Sequence, residues 1–309
     1  MIRLTRRALL LVALLLPVAC APGTGAPAPT PAPTTAAFPA RVVDFQGRDV
    51  VVAGAPQRIV SIGPSNTEFL FALGVGDRVV GTDDFSDEPA AARAAEKVGG
   101  VKVNLEKVLA LRPDLVVTVQ ISDGTIERLA AASLTVLVVD PQGLSDVARS
   151  AILLGRAVGA DGERLARDVT RRLDAVREKT KALATRPRVF HEVDATDPAK
   201  PFTVGPGSFV HDLIELAGGT NVAARAASPY PQLSAEELVR SDPEVIVLAD
   251  ADYGVTPEQV AARPGWGATS AVRNKRVVPV SANLVSRPGP RVAEAAELLA
   301  RTFHPTAFR

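Results

Sequence analysis

Three residues that could bind a metal or transfer a proton lie close together in mid-chain: His191, Glu192 and Asp194. They fall in or just after residues 188–193, RVFHEV, which predict a strand. Successive side chains of a strand point to opposite faces, so His191 and Glu192 cannot both face one site. Two interpretations of His191 remain open. It is a ligand of a metal centre, or it is an ordinary packed or surface histidine.

A secreted hydrolase is the alternative that these residues raise. Ser208, with His191 and Asp194, supplies the residue types of a nucleophile, a base and an orienting acid. The context of Ser208, GPGSF, differs from the Gly-x-Ser-x-Gly elbow. The chain has three histidines, and His211 and His304 fall on predicted helices without a ligand motif, which argues against a zinc enzyme.

Two glutamates occupy matching positions in an internal repeat. The segment NLEKVLALRPDLVV (104–117) matches SAEELVRSDPEVIV (234–247). Asn104 and Ser234 stand at helix N-cap positions. Glu106 and Glu236 then lie one residue inside a helix start, where the helix dipole favours an anion. A glutamate at such a position stabilises the helix end.

One long helix is predicted to position these groups. Residues 163–186 contain no Gly or Pro and carry an apolar stripe at helical spacing, and Pro187 ends the pattern. We interpret residues 161–186 as a spine helix between an N-terminal lobe (41–160) and a C-terminal lobe (187–309). The alternative is a surface helix within one domain, but the internal repeat favours two related lobes.

Each lobe alternates β and α patterns, which predicts an α/β fold of two Rossmann-like lobes with buried parallel sheets. A hairpin is expected over 42–52, and Ser65 with Glu68 has the pattern of a capping box. Strands are predicted at 58–62, 78–81, 115–119, 135–139, 188–193, 202–204, 245–249 and 276–280, and helices at 104–111, 126–132, 144–158, 209–217 and 292–303.

The first forty residues predict export. Residues 1–19 have a basic start and a short apolar stretch, typical of a signal peptide. Cys20, the only cysteine, follows this stretch as in a lipobox and is predicted to be lipidated; the alternative is ordinary cleavage and release. Residues 20–40, rich in Ala, Pro and Thr, are expected to form a disordered tether. The net charge of +1 gives no footprint for nucleic acid.

With these elements placed, the chain resembles the cobalamin, haem and iron-siderophore binding proteins of ABC importers, the class with a helical backbone. The resemblance covers about residues 41–305. It rests on six motifs in order: RIVS (58–61), PSNTE (64–68), NLEK with LRPDLV (104–116), VGPGSF (204–209), LAGGTN (216–221) and YPQLSAE (230–236).

The resemblance implies two lobes joined by one stiff helix, with a ligand cleft between them. It assigns the permease-docking carboxylates to Glu106 and Glu236. In the cleft it implies four ligand-binding residues, namely Phe85, Tyr230, Asn283 and Arg287. The two aromatic rings could flank a flat macrocycle, or they could simply pack in loops. Arg287 could pair with an acidic group of a ligand, or it could be a solvated surface charge.

The resemblance also implies a non-enzymatic monomer without an intrinsic cofactor, whose bound metal chelate contains cobalt or iron. Its partners would be an ABC permease and ATPase, and Cys20 would anchor it to the outer face of the cytoplasmic membrane, in the cell envelope. Relatives specific for vitamin B12 carry aromatics where this chain has Gly100, Val119 and Val193. A sensor or adhesion lipoprotein with the same fold but no transporter is the remaining alternative.

Overall fold

The computed structural model describes residues 37–308. The predicted signal peptide, Cys20 and most of the predicted tether lie outside these residues. Within them, none of the helices combines the length and the apolar character needed to cross a membrane.

The predicted hairpin is confirmed. It consists of β1 (Ala40–Val43) and β2 (Asp49–Val52), which pair antiparallel with Ala40 opposite Val52. Alternate side chains of both strands are buried, as expected for a sheet with one solvated face. Because β1 begins at Ala40, the folded part starts slightly before the predicted end of the tether.

The N-terminal lobe is a parallel sheet in the order β5-β4-β3-β6-β7. Every residue of the strands Ile59–Ile62 and Leu115–Thr118 is buried, because helices cover both faces. The strands are β3 (Ile59–Ile62), β4 (Val79–Thr82), β5 (Glu96–Lys97), β6 (Leu115–Thr118) and β7 (Val136–Val138), and the helices are α1 (Pro64–Ala72), α2 (Leu105–Ala110), α3 (Thr125–Ala131) and α4 (Leu144–Val158).

The spine helix is α5 (Gly162–Lys181), with Asp161 as its N-cap. A β-carbon at Gly155 would overlap the backbone nitrogen of Gly162, so glycine is required where α4 and α5 cross. The buried side chains of α5 join one apolar core that contains residues of both lobes. The helix ends five residues before the predicted Arg186. Beyond it, the Arg186 guanidinium donates to the carbonyl oxygens of Glu215 and Gly219, which fixes a non-helical exit.

The C-terminal lobe has a parallel sheet in the order β11-β10-β8-β9. The predicted strand 202–204 is wrong, because Phe202 makes only isolated bridges to Asp194 and Gln232. The strands are β8 (Arg188–Glu192), β9 (Thr220–Asn221), β10 (Val245–Leu248) and β11 (Val277–Pro279), and the helices are α6 (Phe209–Leu216), α7 (Ala235–Ser241), α8 (Pro257–Ala261), α9 (Ser270–Arg273), α10 (Ala282–Val285) and α11 (Val292–Phe303).

The loops at the carboxyl ends of the two sheets meet each other. Asn283 and Arg287, which follow β11, contact Asp87 and Glu68 of the N-terminal lobe. In open α/β sheets, ligands bind outside the carboxyl ends of the strands. The space between these two edges is therefore the candidate ligand cleft.

Candidate ligand-binding cleft

A cavity of about 480 Å³ opens at the carboxyl edge of the N-terminal sheet. Its wall is formed by residues that directly follow β3, β4, β5 and β6, so the parallel topology gathers them at one edge. The lining includes Asp83, Phe85, Gly100, Lys102, Val119 and Asp123.

Phe85 is held by a loop that Asp83 organises. One oxygen of Asp83 accepts the backbone N–H of Phe85 at 2.8 Å. The other accepts the backbone N–H of Gly63 and the hydroxyl of Ser86. The Phe85 side chain is still 52% exposed. A β-carbon at Gly100 would lie 3.4 Å from the ring of Phe85, so the ring lies over this glycine. The prediction that Phe85 faces the cleft is consistent with this position.

Tyr230 extends from the C-terminal lobe, in the segment after β9, and is 52% exposed. Burial of its hydroxyl and, second, the carboxylate of Asp140 raise the pKa of Tyr230. Asp140 follows β7, so the charge of this N-terminal-lobe carboxylate acts on Tyr230 from the other side of the cleft, although Tyr230 does not line the cavity of about 480 Å³. Tyr253, which follows β10 at the carboxyl edge of the C-terminal sheet, is also exposed. Tyr253 lies in none of the six motifs of the resemblance, so the sequence carried no signal for it.

Arg287 has a different environment from the one predicted. Its side chain is only 12% exposed and forms ion pairs with Glu68 at 3.3 Å and Asp87 at 2.8 Å. Burial acts to raise the pKa of Asp87, but the hydrogen bond and charge of Arg287 lower it overall. Asn283 donates to Asp87 and accepts from Arg287. Both predicted ligand-binding side chains therefore already have protein partners.

Glu68, an ion-pair partner of Arg287, has a different role from the one that its spacing predicts. The predicted capping box with Ser65 is wrong, because the helix starts at Pro64 with Gly63 as its N-cap and no side-chain cap. Glu68 instead pairs with Arg287 and Arg291, more than 200 positions away. Local spacing carries no signal for such a distant partner.

His191 is fully buried, and burial lowers its pKa to about 4, so the imidazole is neutral at physiological pH. Residues 37–308 contain no group of three or more potential metal-ligating side chains. The full burial of His191 favours the interpretation of this residue as a packed histidine. Ser208 caps α6 through its side chain and donates to the carbonyl of Gly205, which is a structural role.

Glu192 belongs to a buried charged cluster beside the only tryptophan of the chain. Its carboxylate forms a bidentate ion pair with Arg263 at 2.5 and 2.8 Å. The guanidinium lies 4.6 Å from the ring centroid of Trp266, which is fully buried. Burial, followed by the Glu192 carboxylate, raises the pKa of Asp250 to about 7. Glu192 ends β8, Asp250 follows β10 and Arg263 follows α8, so the two carboxyl groups lie at the carboxyl edge of the C-terminal sheet, on the C-terminal side of the cleft.

We predict that Asp250→Asn stabilises the protein at pH 7.5 by about 2 kcal/mol and not at pH 4. The pKa of Asp250 is higher in the folded state than the ordinary value near 3.8. The folded state therefore binds the proton more tightly, and wild-type stability falls as pH rises from about 4 to 7. Asparagine imitates the protonated acid, so this part of the pH dependence disappears. Urea unfolding at both pH values measures it, and an equal effect at both would contradict the assignment.

Glu106 and Glu236 lie at the second position of α2 and α7, at the carboxyl edges of the two sheets. The predicted caps are confirmed, since Asn104 and Ser234 accept backbone N–H groups of their helices. Both glutamates are exposed. Within residues 37–308 neither carboxylate has an ion-pair partner, so both are free to meet an external cation.

Comparison with known proteins agrees with this architecture. A family model of periplasmic binding proteins matches residues 59–284. The uncharacterized ABC transporter substrate-binding lipoprotein YvrC of Bacillus subtilis is 36% identical over 89% of this chain and 88% of its own length. A cobalamin-binding protein of Halobacterium salinarum is 31% identical over 97% of this chain and 85% of its own length.

A solved structure gives the same result at the level of the fold. The periplasmic haem-binding protein RhuT from Roseiflexus sp. RS-1 superimposes with a TM-score of 0.74 and 27% identity. The superposition covers 81% of this chain and 99% of RhuT. The family resemblance seen in the sequence is thereby confirmed, and this chain belongs to the periplasmic binding protein family of ABC transporter substrate-binding proteins.

Proposed function

We propose that the protein captures a corrinoid in the cleft and delivers it to the permease of an ABC importer. The observation that carries this proposal is the charge of the cavity that the N-terminal lobe contributes to the cleft. The charged residues that line the cavity, Asp83, Lys102 and Asp123, have no net positive charge. The guanidinium of Arg287 is already paired with protein carboxylates. Corrinoid side chains are largely neutral amides, whereas haem propionates and catecholates call for cationic partners.

Phe85 and Tyr230 are the proposed contacts of the macrocycle. One exposed ring comes from each lobe, so the two can flank a flat ligand within the cleft. Gly100 and Val119 leave the cavity wall open where B12-specific relatives have aromatics. We therefore expect the main stacking contact on Phe85. The cobalamin-binding relative supports the same ligand class.

Haem is the second candidate, favoured by one specific observation. Tyr230 presents a phenol at the cleft, and a tyrosine can ligate haem iron. The haem-binding protein RhuT shares the fold. On this alternative the phenolate of Tyr230 would hold the iron.

We predict that the purified protein binds cyanocobalamin and that Phe85→Ala weakens this binding about tenfold, the equivalent of about 1.4 kcal/mol. Titrations with cyanocobalamin, haemin and a ferric catecholate, followed by visible absorbance, measure the affinities. Phe308→Ala is the matched control, since this ring packs under Lys179 on the spine, outside the cleft. If haemin binds more tightly than cyanocobalamin, and Tyr230→Phe removes this tighter binding, the result would contradict the corrinoid proposal and identify haem as the ligand.

We also propose that the protein works as a monomer in the cell envelope, anchored by a lipid on Cys20 and docked through Glu106 and Glu236. The lipoprotein YvrC supports the anchor.

We predict that Cys20→Ser moves the protein from the membrane fraction to the soluble fraction of the producing cells. Immunoblots of the two fractions measure this, and unchanged membrane association would contradict lipidation at this residue.

A further inference from the structure

Six residues tie the two lobes together beside the cleft, and we call this cluster the interlobe latch. From the N-terminal lobe come the carboxylates of Glu68 and Asp87 and the carbonyl oxygen of Phe85. From the C-terminal lobe come the side chains of Asn283, Arg287 and Arg291. Two carboxylates face two guanidiniums, so the latch is neutral as a whole.

Glu68 and Arg291 form the inner part of the latch. The guanidinium of Arg291 donates to both oxygens of Glu68, at 2.8 and 2.9 Å. The Glu68 side chain is 3% exposed, so this bidentate pair is shielded from solvent on one side. A β-carbon at Gly289 would lie 3.2 Å from Glu68, and the turn between the two arginines therefore packs directly against α1.

Arg287 forms the outer part and reaches the cleft. Its Nη1 donates to Glu68 at 3.3 Å. Its Nη2 faces the carbonyl oxygen of Phe85 at 3.1 Å, Asp87 at 2.8 Å and Asn283 at 2.6 Å. A guanidinium with these contacts has little capacity left for a ligand.

These contacts connect lobe orientation with one wall of the cleft. The backbone N–H of Phe85 is held from its own lobe by Asp83, at 2.8 Å. Its carbonyl oxygen is held from the other lobe by Arg287. The ring between these two fixed points lines the cavity. A change in the angle between the lobes would therefore move the ring.

We propose that Arg287 is a positioning residue, which fixes the orientation of the lobes and through it the placement of Phe85, instead of contacting the ligand. This inference rests on the proposed function only where ligand affinity is concerned. The resemblance seen in the sequence had assigned Arg287 to the ligand itself. The two roles differ in what they predict for a double mutant and for ligands that lack an acidic group.

A double-mutant cycle on affinity makes the first test, with Arg287→Gln, Phe85→Ala and the combined variant. We expect Arg287→Gln to weaken cyanocobalamin binding about tenfold and to add almost nothing once Phe85 is gone. Arg287→Gln should weaken the binding of dicyanocobinamide, which lacks the phosphodiester of cyanocobalamin, by the same factor. Additive effects, or a loss confined to cyanocobalamin, would show direct contact with the ligand and overturn the proposal.

A distance measurement makes the second test and does not depend on the ligand. Nitroxide labels at Ala131→Cys and Ala262→Cys, both exposed, report the separation of the lobes in a Cys20→Ser background. Pulsed electron resonance should give a narrow distance distribution that broadens in Arg287→Gln. Arg287→Lys keeps one cation for Asp87, so its distance distribution should be narrower than that of Arg287→Gln.

Controls separate this proposal from simple misfolding and from a wrong ligand. Arg186→Gln removes another interacting arginine, paired with Glu215 outside the cleft, and should leave the distance distribution unchanged. If circular dichroism shows that Arg287→Gln does not fold, the distance measurement is made on Asp87→Asn instead. Asp87 lies at the rim of the latch. An unchanged distribution in a folded latch variant refutes the latch. Absence of corrinoid binding to the wild type refutes the proposed function alone.

Discussion

Replacing Glu106 and Glu236 together with alanine should abolish ligand uptake and leave ligand affinity unchanged. Both carboxylates are exposed and, within residues 37–308, have no ion-pair partner. They lie on separate lobes, at the starts of α2 and α7. Each can meet a permease guanidinium through charge-assisted hydrogen bonds. Losing such a partner costs about 2–5 kcal/mol when the other charge stays buried and unpaired.

The measurement pairs ligand titration of the purified variant with uptake in vesicles that contain permease and ATPase. Glu127→Ala with Glu258→Ala is the matched control, since both residues are exposed first-turn glutamates, one on each lobe. If the glutamates only stabilise helix ends, both double variants should lose about 0.3–1 kcal/mol of folding free energy per site and transport normally. Normal uptake by the Glu106 and Glu236 variant would remove the docking role.

Arg263→Met should be the most destabilising of the single changes considered, lowering the free energy of unfolding by about 3–5 kcal/mol at pH 7.5. It leaves the carboxylate of Glu192, which is fully buried, without its cation and next to Asp250. Methionine preserves much of the packing on Trp266, so the loss is mainly electrostatic. At lower pH the carboxyl groups take up protons, and the defect should shrink.

Urea unfolding at pH 5 and pH 7.5 measures both effects. Arg188→Met is the matched control, because Arg188 pairs with Asp242 and Glu244 at the surface. An exposed ion pair is worth only about 0–1 kcal/mol, so this variant should be nearly as stable as the wild type. Similar losses in the two variants, or a defect at Arg263 that is independent of pH, would contradict the role of the buried charge.

Local patterns were sufficient to predict much of the framework. Asn104 and Ser234 cap the helices they were assigned to, and α4 and α11 have the predicted bounds. In each case the signal lies within one helix, since capping and amphipathic spacing depend on residues a few positions apart. The short strands β5 and β9, two residues each, carry no such periodicity and were missed.

The cleft was less predictable because its contacts join distant parts of the chain. Glu68 has the spacing of a capping residue, yet its carboxylate is bound by Arg291, and no local pattern reveals this. The resemblance assigned Arg287 to a ligand, and no local pattern reveals that this residue pairs with Glu68 and Asp87 instead. Phe85 and Tyr230 were assigned to the cleft through the resemblance, and their roles there stay predictions. The distance between the two rings depends on the orientation of the lobes, and no local sequence pattern predicts that orientation.

The burial of Trp266 makes the protein its own optical reporter. As the only tryptophan, it is packed edge-on against Phe190 inside the C-terminal lobe and cannot touch a molecule in the cleft. A coloured ligand can therefore quench its emission only through space, by resonance energy transfer. The quenching would depend on the spectrum and orientation of the ligand, while the emission maximum would stay in place because the indole environment does not change. A colourless competitor would displace the ligand and restore the emission, so an unlabelled sample is sufficient for a competition assay.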